Sequence, residues 1–340
     1  MNKRALGADV LLLLTAAIWG FGFVAQRSGM EYLGPFAFNG IRFFLGSLSL
    51  FPIIALSKSI KPSGKGVIKR AIMAALLAGS CCFIAVSLQQ LGIIFTTAGN
   101  AGFITGFYVI ITPILGIFLG RKTGPATWIG AVFTLSGLYF ISISGQTGVH
   151  PGQINPGDII IAAGSVFWAF HVLVIDRLVK KTDPIVLSSG QFAFCGLFSL
   201  AAAFLAEPSL SNWLNTLSPE LSAGQALGLF YWKPFPALIS GLFLKTIPLE
   251  PVSGALIPIL FGSFASVGIA YTLQVIAQRD APPAHATIIL CMEGSFAALG
   301  GVLLLHEPLG RRTVLGFVLM LAGMLISQWE LIVRRRTASL

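Results

Sequence analysis

Few side chains in this 340-residue chain could do chemistry, and they stand far apart inside long apolar runs. Glu293 lies midway along the run 283–305, beside Gly294 and ahead of Gly300 and Gly301. A carboxylate among apolar neighbours is costly to keep charged. It is therefore read in one of two ways: a helix-packing acid bonded to a backbone group or an arginine, or a pocket-lining or protonatable coupling group. His171 follows Trp168 and Phe170 and reads either as a hydrogen-bonded interior histidine or as a pocket ligand or proton carrier. Arg42 and Gln191 each stand seven residues after a proline, Pro35 and Pro184. Arg42 either reaches an interface or an ion-pair partner with its head group, or receives a substrate carboxylate. His285 and Asn100, each near the start of an apolar run, are expected to make polar contacts between helices. The aromatic side chains Trp19, Trp168, Tyr108 and Tyr271, with Phe21, Phe23 and Phe170, read as packing groups or as the walls of a cavity.

Several chemistries lack their signatures. No phosphate-binding G-x-x-x-x-G-K-[ST] loop occurs, which excludes ATP as an energy source within this chain. HExxH, G-x-S-x-G and a DxD pair at a membrane boundary are also missing, and His150, His171, His285 and His306 are dispersed. Cys81, Cys82, Cys195 and Cys291 sit in apolar segments without CxxC spacing, which points to packing rather than to a metal or a disulfide framework. No catalytic residue, metal or cofactor is predicted.

The elements that must carry these residues follow from composition. The chain is 55% hydrophobic and 10% charged, against about 25% charged in a typical soluble domain. The deficit is explained if most of the surface faces lipid. The 22 basic residues against 12 acidic ones do not signal nucleic acid, because they cluster in short segments between the apolar runs. Runs near 9–27, 36–57, 70–91, 93–119, 125–144, 158–177, 184–206, 253–278, 283–305 and 313–333 are each long enough for a membrane-crossing helix. Strand-like alternation is absent, so the expected fold is an all-α integral membrane protein with ten transmembrane helices. The first run resembles a signal peptide, but Trp19 within it has a partner later in the chain, so it belongs to the folded protein. Placing both termini inside puts most of the basic residues in cytoplasmic segments. Residues 207–252 are too long for a tight loop, and Pro234 and Pro236 interrupt their apolar part, so an external interfacial or re-entrant insert is expected.

The chain also repeats itself. Trp19, Pro35 and Arg42 correspond to Trp168, Pro184 and Gln191 at one constant offset. Gln89, Gly130 and Gly137 correspond to Gln274, Gly316 and Gly323 at a larger offset, and the insert explains the jump. The halves, 1–145 and 146–340, hold five spans each, and an odd number forces them into opposite orientations.

Four segments carry a more specific resemblance: AAIWGFGFV, PFAFNGIRFFLGSL, TTAGNAGFITGFYVIITPILG and APPAHATIILCMEGSFAALGGVLLLHEPLG. With them the chain resembles the EamA-domain branch of the drug/metabolite transporter superfamily along essentially its whole length. The resemblance implies a ten-span carrier of small solutes such as amino acids, nucleotide sugars, vitamins or drugs. Two features depart from the pattern. Arg121 and Lys122 stand where the first repeat usually ends its fourth span in a glutamate, and the long external insert is unusual for the family.

The functional expectation is a secondary carrier moving a small metabolite, an amino acid-like solute or a drug by alternating access. Its substrate or coupling candidates are Glu293, His171, Arg42, Gln191, Trp19, Trp168, Tyr108 and Tyr271. The expected partners are that solute and the lipid bilayer, with no nucleic acid, and the plan leaves room for a homodimer. The expected location is the cytoplasmic membrane, the inner membrane of a bacterial cell. The alternatives are a non-transporting receptor or assembly protein and, behind it, an intramembrane lipid-modifying enzyme.

Overall fold

The computed structural model describes residues 3–30, 32–56, 65–95, 98–144, 156–207, 250–305 and 310–337. Among them every regular element is helical. The first half supplies α1 (Lys3–Gly29), α2 (Pro35–Leu56), α3 (Lys65–Ile93), α4 (Ala98–Thr105), α5 (Tyr108–Phe118) and α6 (Pro125–Ser144). The second supplies α7 (Pro156–Leu178), α8 (Pro184–Leu205), α9 (Glu250–Leu260), a π-helical stretch (Phe261–Tyr271), α10 (Thr272–Ala277), α11 (Pro283–Leu290), α12 (Glu293–Leu305) and α13 (Arg311–Thr337). Counting α4–α5, α9–π–α10 and α11–α12 each as one interrupted rod gives ten rods among the described residues. Seven are long and apolar enough to cross a membrane, and α13 adds the shorter apolar stretch Val314–Ser327. Residues 208–249, nearly all of the predicted insert, lie outside the described residues, as do His150 and His306.

Proline sets the start of many of these helices. Pro35, Pro125, Pro156, Pro184 and Pro283 each open one, where the missing N–H is no loss and the fixed φ suits the first turn. The burial pattern departs from that of a water-soluble protein. Val10, Leu48, Ile72, Leu205 and Ile257 are exposed, whereas Asn39, Arg42, Gln90, His171, Gln191 and His285 are buried. This is the arrangement expected where lipid is the outer solvent.

The rods pair closely: α6 with α13, α2 with α8, α3 with α7 and α8, and α1 with α12 and the π-helical stretch. In lipid such contacts depend on close backbone approach by small residues. A Cβ on Gly130 would fall 2.6 Å from the Gly323 carbonyl oxygen, and one on Gly323 would fall 2.6 Å from that of Gly130.

Two predicted spans differ from expectation in the same way. The runs 93–119 and 283–305 are each expected as a single helix. Instead Pro113 lies inside α5, and the interruptions fall at Gly106–Phe107 and at Cys291–Met292. At both places the backbone tightens into i→i−3 bonds, with Phe107 N–H to Ile104 O at 3.1 Å and Met292 N–H to Ile289 O at 3.0 Å. Such a tightening inside a helix is a recurrent hinge geometry. The interruptions also meet, because the Cys291 thiol donates to the Gly106 carbonyl at 3.5 Å. Glu293 is consequently the first residue of α12, and Tyr108 the first of α5.

Candidate functional site

The two interruptions, together with α1, α2, α3, α7 and the π-helical stretch, surround a central cavity. Its volume is about 30 Å³, room for a few waters at most until the walls move.

Aromatic rings make the constriction. The Trp19 and Tyr271 ring centroids are 4.4 Å apart, Trp168 stacks on Tyr271 at 6.0 Å, and the two tryptophans are 6.5 Å apart. Their polar edges are held. Trp168 Nε1 donates to Gln89 Oε1 at 2.8 Å, and Trp19 Nε1 donates to the Ser266 carbonyl at 3.3 Å. The π-helical stretch is what brings Ser266 and Tyr271 to the same wall.

Of the eight residues singled out from sequence, Trp19, Arg42, Tyr108, Trp168, Tyr271 and Glu293 line this cavity. His171 and Gln191 do not. They lie behind it, fully buried, with His171 Nε2 2.9 Å from Gln191 Oε1 and the His171 ring 5.7 Å from that of Trp168.

Arg42 is 3% exposed, so it does not reach an interface. Its Nε donates to Asn39 Oδ1 at 3.0 Å, and Nη2 lies 3.5 Å from Gln26 Oε1. The guanidinium also sits 5.5 Å and 5.0 Å from the Phe38 and Phe43 ring centroids. Among the described residues it has no carboxylate partner. Nor does any described residue hydrogen-bond or ion-pair with the Glu293 carboxyl group, which is 6% exposed. Neither the arginine nor the backbone partner considered for a helix-packing acid is therefore present among them.

Sequence reasoning left out other cavity residues: Gln26, Gln89, Thr105, Ser266 and Gln274. A signal existed for Gln89 and Gln274, which are repeat-equivalent. Gln26, Thr105 and Ser266 had none, because an isolated polar residue in an apolar run does not show which way it faces.

The bundle ends are tied by polar contacts. Near the start of α1, His285 bridges Asp9 (2.9 Å) and Ser327 (2.9 Å), which is the interhelical contact expected of it; the Asn100 side chain lies outside the described set. At the same end Arg121 pairs with Asp176, which also receives Lys180 at 3.2 Å, so the basic residue that departs from the family pattern has an acid on α7. At the opposite end Glu207, just past α8, accepts from Phe36 N–H (2.8 Å) and Ala37 N–H (2.9 Å) in the first turn of α2. Burial pushes its carboxyl group up to about 7, outweighing the two backbone donors that pull it down.

The family model of the EamA-like transporter family matches residues 6–143 and 155–329, one copy in each half of the chain. The chain belongs to the EamA-like transporter family. It is 26% identical over 327 residues to a transporter of Archaeoglobus fulgidus, covering 95% of this chain and 87% of that protein. It is 24% identical over 215 residues to the Escherichia coli inner membrane transporter YedA, covering 62% of this chain and 65% of YedA. A solved crystal structure superposes with a TM-score of 0.66 at 17% identity, covering 95% of this chain and 97% of the other, which shows a shared fold. As an EamA-like transporter with apolar membrane-crossing helices, the protein resides in a membrane.

Proposed function

We propose that this EamA-like transporter is a secondary carrier that moves a small solute by alternating access between two inverted halves, residues 1–145 and 146–340. One observation carries the reading: the central cavity takes its walls equally from both halves and lies where two interrupted helices meet. The rod pairing agrees with a two-fold relation. If α1–α6 map onto α7–α13, the α6–α13 and α2–α8 contacts map onto themselves, and the α3–α7 contact maps onto that of α1 with the π-helical stretch. Gly130 facing Gly323 and Gly137 facing Gly316 is the crossed pairing that such an axis requires. Trp19, Arg42, Tyr108, Trp168, Tyr271 and Glu293 form the substrate site, and His171 with Gln191 supports Trp168 from behind. Both termini are cytoplasmic, which places the Arg121–Asp176 and His285–Asp9 contacts inside and Glu207 outside. YedA, named as an inner membrane protein, supports the same membrane for this chain.

The test is flux and access in proteoliposomes. In a background lacking the native cysteines, Gln26→Cys and Gln274→Cys lie towards opposite ends of the cavity. Solute added on one side should protect one position and expose the other. If both positions stay equally reactive under every gradient, and no solute is exchanged, the carrier reading is lost. The receptor alternative is then favoured.

A further inference from the structure

We propose that a second site, separate from the central cavity, binds a phosphate-type oxyanion at the end of the bundle that carries the Arg121–Asp176 contact. It is a cavity of about 130 Å³ that shares no lining residue with the central one. The first half of the chain supplies its wall from α5, the link after it and the start of α6, and the second half from α7 and the start of α11. Such a site is independent of what the central cavity carries.

Two helix N-termini meet here. Gly124 and Thr127 belong to the start of α6, and Pro283, Ala284 and His285 are the first residues of α11. The first N–H groups of a helix have no partner within it, and the aligned peptide dipoles favour negative charge at that end. Elsewhere this chain answers that need itself: Asp183 caps α8, and Glu207 caps α2. Neither α6 nor α11 has an acid in its first turn, and Pro282, just before α11, has no side-chain oxygen to offer.

Thr112, on α5, is the independent sign of a missing ligand. It lines the same cavity, is 1% exposed, and its Oγ1 has no hydrogen-bond partner among the described residues. A buried hydroxyl left unpaired is costly, and an oxyanion oxygen supplies the acceptor. The charge agrees. Arg121 and Lys122 both line the cavity, and the single acid on Arg121, Asp176, is shared with Lys180, so the cluster keeps a net positive charge. The other acid held at this end, Asp9, is engaged by His285 Nε2. A guanidinium fork, an ammonium, a hydroxyl and first-turn amides together suit a tetrahedral oxyanion. Inorganic phosphate and the headgroup of an acidic phospholipid share that chemistry.

The experiment melts purified, delipidated protein in neutral detergent at constant ionic strength. One arm adds inorganic phosphate against a chloride control, and the other adds micelle-borne phosphatidic acid against phosphatidylcholine. A saturable rise in Tm is expected. A response to phosphate identifies a soluble oxyanion, and a response to phosphatidic acid alone identifies a lipid headgroup. In the arm that responds, Thr112→Val should weaken binding about tenfold and Lys122→Gln about threefold. Lys69→Gln removes the same charge from an exposed residue outside the cavity lining and should leave binding unchanged. Thr112→Val removes only an unpaired hydroxyl, so its Tm without ligand should not fall. The proposal is overturned if neither ligand raises Tm, if folded Thr112→Val or Lys122→Gln binds as tightly as the parent, or if Lys69→Gln weakens binding as much as Lys122→Gln.

Discussion

At the scale of single residues, Glu293 separates a site role from a packing role. With no described partner to lose, Glu293→Gln should leave the melting temperature near that of the parent and reduce flux at least tenfold, on the order of 1.4 kcal/mol of lost transition-state binding. A loss of several kcal/mol of stability would instead show a hidden ion pair. Asp176 gives the opposite expectation. It is 3% exposed in its side chain and answers both Arg121 and Lys180, so Asp176→Asn should destabilise. The effect should be about 1–2 kcal/mol, below the value for a fully buried pair, because Arg121 is 29% exposed and Lys180 54% exposed. Thermal melting of both variants under one condition checks the contrast.

At the scale of elements, the start of α2 is capped by a residue from the other half of the chain. Asp183 caps its own helix α8, with Oδ1 accepting from Ile185 N–H at 2.9 Å. The corresponding place before α2 is Gly34, which has no side chain, and Glu207 supplies the missing oxygen. Its carboxyl group stands at about 7, above the ordinary 4.5, so the folded protein holds this proton more tightly than the unfolded chain does. The stability this contributes is fully present below about 4.5 and is lost as pH rises through about 7. Glu207→Gln keeps an acceptor oxygen and removes the titration. The parent should therefore lose Tm relative to the variant between those pH values, with a constant difference outside them. A difference that does not change with pH would show that Glu207 does not titrate there. The α6–α13 contact yields a second expectation. Gly130→Ala would place a Cβ 2.6 Å from a backbone carbonyl that cannot rotate away, costing about 1–3 kcal/mol, whereas a Cβ on Gly102 meets nothing within 4 Å. Equal melting temperatures for Gly130→Ala and Gly102→Ala would contradict the close approach.

For the whole molecule, the orientation proposal is open to labelling. With both termini cytoplasmic, a cysteine at Ser211 should react with an impermeant reagent from outside and one at Ser63 should not; the reverse result would invert the topology. How much of this was legible in the sequence differs by level. The charge deficit determined a lipid-facing helical protein, because a water-facing surface needs charge wherever the chain runs. Pro35, Pro125, Pro156, Pro184 and Pro283 open helices for a local reason, the fixed φ and the missing donor, which needs no tertiary contact. Trp19 and Trp168 read from sequence as packing groups or as cavity walls, and the structure brings the two rings together at the cavity. What the tertiary structure alone decided was which polar groups face one another. A helix in lipid is apolar on nearly every side, so the amphipathic pattern that shows the inward face of a soluble helix is absent. Gln26, Thr105 and Ser266 could not be assigned to the cavity for that reason. The interruptions at Gly106–Phe107 and Cys291–Met292, the burial of Arg42 and the Glu207 cap depend on groups brought together from distant parts of the chain, and spacing along one helix carries no record of them.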